Sequence, residues 1–458
     1  MSNNILPKSS PILAVVGAGS IVWGRSIVID FFTNPDLADA EIRLIDIDGD
    51  RLELVHEWLE FARVRMGGRQ RLTAHTDLAE GLRGVTVCLT AIAVGGDRLW
   101  RYDVLHPQLD GIFQPVGDTT GPGGAVRALR HAPALRQIAE TLSQVGTPDA
   151  VLIQLTNPLN ALTASLENIP GIRVFGFCHG YIDTEVIFAK ALGLVDPHAS
   201  YDQIYDAPTF PVRVELAGNN HFVFVNRLRI RDRVYEQSDL GELVPGIFDT
   251  TFREAVWSRF GVLAGNYARH PIEFLPDFIT RRWGFGRAWG VDPIAAEINP
   301  LHGERHDVRR AQVVHDLEAA RADPTRVDEW RLTHSHEPIA EIVAAFHTGE
   351  RFDTHLNLPN AGAIAGVSDG HHVELFCRIE GGVVHRPTVA FPDAITREIE
   401  RVGHSQTLLA QCCRAFDEDT LVEALLLDAL VPANPDLIRS LVREMIAFQK
   451  ELIFPQRF

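Results

Sequence analysis

Short apolar segments alternate with helical stretches between residue 11 and about residue 180. Apolar runs of this kind are typical of parallel strands buried inside a sheet. Strands that alternate with helices require right-handed crossovers, so the pattern predicts an α/β fold built on a doubly wound parallel sheet. The predicted strands are Ile12–Val16, Ile42–Asp46, Val85–Thr90, Ala150–Leu155 and Arg173–Phe177.

The pattern changes after residue 200. Val212–Leu216 and Val223–Val225 predict two antiparallel strands around a turn that ends at His221. Helical segments then alternate with irregular stretches, and Asp393–Gln449 is predicted to be mostly helical. We therefore expect a nucleotide-binding domain over residues 1–195 and an α+β domain over residues 196–458.

Composition narrows the class of protein. The chain has 458 residues, of which 46% are hydrophobic and 22% are charged, as in ordinary globular proteins. Its formal net charge of −17 argues against nucleic acid or an anionic membrane as a partner. No apolar run is long enough to cross a bilayer, and the first residues do not resemble a secretory signal. Five cysteines, an odd number without regular spacing, favour the cytoplasm.

The first predicted strand leads directly into Gly17 and Gly19, and Gly24 follows. Such glycines let a backbone approach a pyrophosphate, while the next helix offers free amides to it. Asp46 closes the second strand and Asp48 lies two residues beyond it. Either carboxylate suits the ribose hydroxyls of NAD and would repel the 2′-phosphate of NADP. The alternative is a tight turn beside an ordinary surface acid.

Two residues point to a metal. Cys178 lies within Gly-Phe-Cys-His-Gly and His221 within Gly-Asn-Asn-His-Phe. A thiolate and an imidazole that follow a nucleotide-binding segment in the sequence suggest that the same pocket binds a divalent metal. Taken singly, each has a plainer interpretation, because a lone cysteine is usually a small buried apolar residue and a lone histidine is usually hydrogen-bonded structure.

Two further polar segments follow predicted strands or loops. The glycine-rich segment 118–124 begins with Asp118 and precedes Arg127 and Arg130; it suits a polar pocket, or a helix start capped by Asp118 or Thr119. Asn157 ends a predicted strand, where side chains of doubly wound sheets face the ligand crevice. Asn-Pro is also a common turn.

Taken together, the motifs resemble glycoside hydrolase family 4, the NAD- and Mn²⁺-dependent glycosidases. They occur in the order typical of that family across nearly the whole chain. The matching segments are GAGS at 17–20, LIDID at 44–48, VGDTTGPGGAVRALR at 116–130, LTNPLN at 155–160, FCHG at 177–180, GNNHF at 218–222, LNLPNAGAI at 356–364 and ALLLDAL at 424–430.

The resemblance implies a fold and a set of roles. The fold would be a Rossmann-like domain followed by an α+β domain of the lactate and malate dehydrogenase C-terminal type, in a homodimer or homotetramer. The second domain would supply substrate, metal and subunit contacts. The implied roles are NAD binding by Gly17, Gly19, Ser20 and Asp46, metal binding by Cys178 and His221, sugar contact by Asn157 and His179, and a catalytic position in the sugar pocket for Asp118.

His179 follows the cysteine at a position where phosphosugar-specific members typically have Asp or Asn. The resemblance therefore favours the branch that acts on unphosphorylated α-glucosides, α-galactosides or hexuronides. It also implies a mechanism that departs from two-carboxylate catalysis. NAD⁺ oxidises carbon 3 of the sugar, a base removes the proton on carbon 2, the aglycone is eliminated, water adds and NADH returns the hydride. The metal, Mn²⁺ or another divalent ion, polarises the ketone as a Lewis acid.

The general base and the sugar stay open. Tyr267 is the best local candidate for the base, although a tyrosine pKa near 10 would have to be lowered by the metal or by Arg269. Arginines are frequent nearby and suit a sugar carboxylate, which would indicate a hexuronide, or they form a solvated basic patch. These arginines are Arg269, Arg281, Arg282 and Arg287.

Two rival functions share parts of this pattern. An NAD-dependent dehydrogenase of a sugar or 2-hydroxy acid would release NADH stoichiometrically and would not need Cys178. A non-catalytic sugar or NAD sensor would not need to keep the Cys178–His221 pair and Asn157.

Overall fold

The computed structural model describes residues 10–21, 23–205, 210–243, 246–291, 301–330, 332 and 334–453. Within these ranges twelve strands form one sheet. The strands are β1 Ile12–Val16, β2 Glu41–Ile45, β3 Arg71–His75, β4 Val87–Thr90, β5 Ala150–Gln154, β6 Ile172–Gly176, β7 Val212–Asn219, β8 Phe222–Ile230, β9 Arg233–Glu236, β10 Phe352–Pro359, β11 His372–Glu380 and β12 Val383–His385.

The first six strands are parallel and lie in the order β3-β2-β1-β4-β5-β6. This is the strand order of a Rossmann fold, so the predicted doubly wound sheet is confirmed. All five predicted strands are present with ends shifted by up to two residues. Strand β3 was not predicted, because Arg71–His75 is an edge strand that interleaves polar and apolar residues and lacks a continuous apolar run.

The sheet continues beyond β6 with antiparallel strands. Strand β10 pairs with β6 through Asn357 and Gly176, and β11, β7, β8 and β9 follow in that order. The β7–β8 hairpin confirms the two antiparallel strands that the sequence predicts. The α+β region therefore extends the parallel sheet, and the boundary between residues 195 and 196 stays a prediction.

Helices cover both faces of the parallel part. Leu13 and Val15 of β1 pack against the first two helices, whereas Ala14 and Val16 pack against the long helix after residue 120 and the last helix. The helices are α1 Trp23–Thr33, α2 Gly49–Arg65, α3 Leu78–Leu82, α4 Gly96–Leu105, α5 Gly121–Val145, α6 Leu159–Leu166, α7 Gly180–Ala191, α8 Tyr201–Tyr205, α9 Thr251–Phe260, α10 Leu301–Ala322, α11 Ile339–Thr348, α12 Asp393–Arg414, α13 Glu418–Leu426 and α14 Pro435–Ile453.

The predicted helical tail corresponds to α12, α13 and α14. Helix α12 packs against α6 and α5, so the end of the chain returns to the parallel part of the sheet. None of the helices in the described ranges combines the length and apolar character that a membrane span requires.

Candidate functional site

The glycine turn after β1 is built by close backbone packing. Gly17 has a φ of +90°, and a Cβ there would overlap the carbonyl oxygen of Ala91. Its N–H donates to the carbonyl of Ile45 at 2.9 Å. Only glycine meets both the backbone angle and the space at this position without strain.

The two acidic residues after β2 have different roles in the structure. Asp46 accepts the N–H of Gly19 at 2.8 Å through Oδ2 and the N–H of Asp48 at 3.0 Å through Oδ1. Asp48 instead caps α2, because its side chain accepts the N–H of Arg51 at 3.1 Å. Ser20 accepts the N–H of Trp23 at 3.3 Å, at the start of α1. The carboxylate that faces the glycine turn is therefore that of Asp46.

His221 lies in the two-residue turn of the β7–β8 hairpin. It has a φ of +67°, and only 4% of its surface is exposed. Asn220, the other turn residue, donates to Glu374 of β11 at 2.8 Å and so ties the turn to the sheet. A buried, non-glycine residue in the left-handed region is strained backbone, which persists where the surroundings hold it in place.

The ring of His221 joins two of the predicted site segments. Its Nδ1 lies 2.8 Å from Oγ1 of Thr119, and the Thr119 hydroxyl donates to Asp118 Oδ1 at 2.7 Å. A side-chain hydrogen bond also links His221 with Cys178, which follows the end of β6. Burial would lower the pKa of His221, but Asp118 and Cys178 raise it well above its usual value. The structure thus brings the predicted metal pair together beside Asp118.

Asp118 is the centre of a polar cluster. Its Oδ2 accepts the Asn157 side-chain N–H at 2.9 Å, and the Arg127 Nε donates to the Asn157 carbonyl at 3.1 Å. Burial would raise the pKa of Asp118, but the charges of His221 and Arg127 and the hydrogen bonding with His221 hold it below its usual range. Asp118 is therefore an anion, and Asn157 is oriented by it.

His270 adds a nitrogen for which the sequence assigned no role. One ligand atom each of Asp118, His221 and His270 lies within 4.8 Å of the others. The His270 and His221 rings are 4.1 Å apart, and His270 Nδ1 is buried with no hydrogen-bond partner among the described residues. Burial and the His221 charge lower the pKa of His270 well below its usual value, so its ring is neutral. His270 directly follows Arg269 and lies three residues after Tyr267, and this position was its only signal in the sequence.

Distant side chains hold the 116–121 loop in place. Glu273 accepts the backbone N–H groups of Val116 at 2.7 Å and Gly117 at 2.9 Å. Asp428 accepts the Gly121 N–H at 2.6 Å and the Thr120 hydroxyl. Helix α5 is therefore not capped by Asp118 or Thr119, as the sequence allowed, because its N-cap is Thr120 and the capping carboxylate comes from Asp428.

Tyr267 contacts a second tyrosine, and that tyrosine contacts an acid of α7. Its hydroxyl is 2.8 Å from that of Tyr201, and Tyr201 donates to Asp183 Oδ1 at 2.5 Å. The Arg269 guanidinium lies over the Tyr267 ring, 5.3 Å from its centroid.

His179 is the N-cap residue of α7 and lies beside the same Asp183. Its Nε2 lies 3.7 Å from Asp183 Oδ2 and its Nδ1 3.6 Å from Glu337 Oε1. Partial loss of water around the ring would lower the pKa of His179, but Glu337 and Asp183 outweigh this effect and raise the pKa to about 9. His179 is therefore a cation near neutral pH, although 57% of its side chain is exposed.

The predicted arginines separate into two groups. Arg269 is half-buried beside Tyr267, whereas Arg281, Arg282 and Arg287 are exposed on an irregular segment. The three exposed arginines fit a solvated basic patch. Arg269, by contrast, lies beside Tyr267, which is another candidate site residue.

Known proteins share both the sequence pattern and this fold. Residues 12–194 match the profile of family 4 glycosyl hydrolases, and residues 216–431 match the C-terminal domain of the same family. An α-galacturonidase from Thermoanaerobacterium saccharolyticum is 26% identical over 473 residues, covering 96% of each chain. An α-galactosidase from Rhizobium meliloti is 24% identical over 454 residues, covering 95% of this chain and 88% of the relative.

Solved structures show the same architecture. The crystal structure of lplD, a candidate glucosidase from Bacillus subtilis, superposes with a TM-score of 0.78 at 24% identity, covering 95% of this chain and 99% of the other. A 6-phospho-α-glucosidase from gut microorganisms, solved with NAD and Mn²⁺, has a TM-score of 0.76 at 18% identity and covers 96% and 98%.

The fold and the two profile matches define the class as a glycoside hydrolase built on a Rossmann-like sheet. The chain belongs to family 4 of the glycosyl hydrolases.

Proposed function

We propose that this chain is an NAD⁺- and Mn²⁺-dependent α-glycosidase that hydrolyses an unphosphorylated hexuronide, with an α-galacturonide as the substrate class. The observation that carries the proposal is that His221 contacts Thr119, which bonds Asp118, and is also hydrogen-bonded to Cys178, which follows the end of β6. The named relatives support the sugar class, because they are an α-galacturonidase and an α-galactosidase.

The side chains fit a divalent metal. His221 Nδ1 is committed to Thr119, which leaves Nε2 for a metal, and such a partner on the other ring nitrogen is typical of metal-binding histidines. The buried Nδ1 of His270 lacks a hydrogen-bond partner among the described residues. Cys178 and His221 would hold Mn²⁺, with His270 as an added nitrogen. A site with few protein ligands leaves positions open for substrate.

The glycine turn fits NAD. In this strand order, dinucleotides bind where the crossovers reverse, beside the turn after β1. Gly17, Gly19 and Ser20 lie in that turn, ahead of α1. Each oxygen of Asp46 accepts one backbone N–H, so both keep a lone pair for a ribose hydroxyl.

When bound, NAD⁺ supplies reversible oxidation at carbon 3 of the sugar and Mn²⁺ supplies Lewis acidity toward the resulting ketone. The chain itself binds and orients the sugar. Asn157 would present its side-chain amide to the sugar hydroxyls. Its side chain is fixed by Asp118, and its backbone carbonyl is bound by Arg127. Asp118 is held as an anion and would fix the ring of His221 through Thr119. Tyr267 would remove the proton on carbon 2.

Two cations would recognise the hexuronide. Arg269 is held against the Tyr267 ring, and a guanidinium binds carboxylates in a bidentate manner. His179 is positively charged, and more than half of its side chain is exposed. A neutral galactoside has no carboxylate, so these two cations would bind it less strongly.

The test is hydrolysis of nitrophenyl α-galacturonide, with the α-galactoside, α-glucoside and α-glucuronide as comparisons. We expect turnover that requires Mn²⁺ and NAD⁺ and produces no net NADH at 340 nm. Stoichiometric NADH release would identify a dehydrogenase instead. Equal activity on neutral and acidic sugars would contradict the hexuronide assignment, but it would not contradict the proposed glycosidase activity.

A further inference from the structure

Three side chains, Tyr267, Tyr201 and Asp183, form a hydrogen-bonded row that begins at the candidate base. We propose that Asp183 is the terminal proton acceptor for Tyr267, reached through the hydroxyl of Tyr201. The inference rests on the proposed function, because it concerns the removal of the proton on carbon 2 of the sugar. It assigns roles to Tyr201 and Asp183, for which the sequence motifs gave none.

The geometry sets the direction in which the hydrogen bonds of the row point. Tyr201 has one hydroxyl proton, and it donates that proton to Asp183 Oδ1 at 2.5 Å. The oxygen of Tyr201 must then act as the acceptor toward Tyr267, whose hydroxyl lies 2.8 Å away. Both tyrosine protons therefore point from Tyr267 toward Asp183.

Burial keeps the middle of the row neutral and makes its end a proton acceptor. Burial and Asp183 raise the pKa of Tyr201, so Tyr201 stays a hydroxyl and passes a proton without becoming an anion. Burial also raises the pKa of Asp183, against the opposing charges of His179, Arg269 and His221. A carboxylate with 9% of its side chain exposed accepts a proton more readily than one in water.

The row resolves a chemical difficulty with Tyr267. An ordinary phenol has a pKa near 10 and is rarely a phenolate at neutral pH. With the row in place, neutral Tyr267 can accept a proton while it gives up its own. No phenolate has to be present beforehand, so the base strength needed comes from Asp183.

The step balances once the sugar carries a ketone at carbon 3, which the proposed NAD⁺ oxidation provides. The C2–H bond breaks and its proton bonds to the Tyr267 oxygen. The proton of Tyr267 moves to Tyr201, and that of Tyr201 moves to Asp183. The electron pair of the C2–H bond forms the C1–C2 double bond, and the aglycone oxygen leaves with the C1–O pair. When water adds to carbon 1, the same row returns the proton to carbon 2.

The experiment compares Tyr201→Phe with the wild-type enzyme on nitrophenyl α-galacturonide carrying hydrogen or deuterium at carbon 2. We expect kcat to fall by about 100-fold, the size typical of lost acid–base catalysis, with little change in KM. The deuterium isotope effect on kcat should rise, because removal of the C2 proton becomes limiting. Bound NADH should accumulate in the first turnover, since oxidation at carbon 3 is unaffected.

Matched variants separate the row from simple structural damage. Tyr235→Phe removes a hydroxyl from another buried tyrosine, on β9, and should leave the kinetics unchanged. Asp183→Asn should behave like Tyr201→Phe, and Asp183→Glu should regain part of the rate. An unchanged isotope effect and rate in Tyr201→Phe would overturn the row alone. Absence of Mn²⁺- and NAD⁺-dependent hydrolysis in the wild type would overturn the proposed function and the row together.

Discussion

Asp428 accepts the backbone N–H of Gly121 at 2.6 Å, although 307 residues separate the two along the chain. The same carboxylate binds the Thr120 hydroxyl and the N–H of Leu430. It thus places a negative charge at the N-terminus of α5, where the free helix amides and the helix dipole favour one. The loop that carries Asp118 ends at this cap, so the tail of the chain fixes part of the candidate site.

Replacement of Asp428 by Asn should lower both stability and activity. The asparagine side chain would lack the negative charge, and its NH₂ group would face groups that are themselves donors. We expect the free energy of unfolding to fall by about 2–3 kcal/mol. Urea unfolding would measure the loss, and kcat should fall more than KM rises because the Asp118 loop shifts. Asp436→Asn, in the exposed first turn of α14, is the control and should cost less than about 1 kcal/mol. Equal costs for the two variants would contradict the capping role.

The metal site can be tested without turnover. Cys178→Ser and His221→Ala should each weaken Mn²⁺ binding by at least about 10-fold, since loss of outer-shell partners alone costs about 10–100-fold. His270→Ala should weaken binding in the same direction if its free nitrogen faces the metal. Titration followed by the electron paramagnetic resonance of free Mn²⁺ gives the affinities. His198→Ala, on an exposed residue, should bind like the wild type. Wild-type affinity in Cys178→Ser would remove the thiolate from the site.

The two acids after β2 give a matched pair for the nucleotide site. Asp46→Asn should weaken NAD⁺ binding by about 10-fold or more, since a charged hydrogen bond contributes about 1.5–3 kcal/mol. Asp48→Ala should instead lower stability by about 1 kcal/mol through loss of the α2 cap, with NAD⁺ affinity retained. Fluorescence titration with NAD⁺ and urea unfolding would report the two effects. The reverse pattern would assign the ribose contact to Asp48.

Buried histidines should make the protein sensitive to acid. Burial lowers the pKa of His355 to about 3, and its Nε2 accepts the Leu216 N–H at 3.0 Å, so the folded protein holds a neutral ring. The unfolded chain binds a proton below a pKa of about 6.5, so stability is lost as the pH falls from there toward 3.

At pH 5 this single histidine should cost about 2 kcal/mol relative to neutral pH. His355→Gln keeps an acceptor for the Leu216 N–H and cannot titrate. Between pH 7 and pH 5, its free energy of unfolding should therefore fall by about 2 kcal/mol less than that of the wild type. His198→Gln, on an exposed histidine, should keep the wild-type pH dependence. An identical pH dependence in His355→Gln and the wild type would show that this ring does not titrate on unfolding.

Local patterns were enough to predict five of the six parallel strands and the β7–β8 hairpin, because each of these elements has its own apolar pattern along the chain. What was missed depends on contacts between distant segments. Strand β10 enters the sheet beside β6 through residues 181 positions apart, Gly176 and Asn357. Glu273 and Asp428 hold the Asp118 loop from 156 and 307 residues away. No periodicity in the chain encodes such pairings, although Asp428 lies in the segment 424–430 that the family resemblance marked.

The charge of the sugar can be tested at Arg269. If its guanidinium binds the hexuronide carboxylate, Arg269→Gln should lower kcat/KM on nitrophenyl α-galacturonide by about 10–100-fold, the value of one charged hydrogen-bonded contact. Arg282→Gln, on an exposed neighbour, should leave the same parameter unchanged. Because Arg269 also lies over the Tyr267 ring, the variant must be measured on the α-galactoside as well. A loss confined to the galacturonide indicates carboxylate binding, whereas an equal loss on both sugars indicates that Arg269 acts through Tyr267 and that the carboxylate is bound elsewhere.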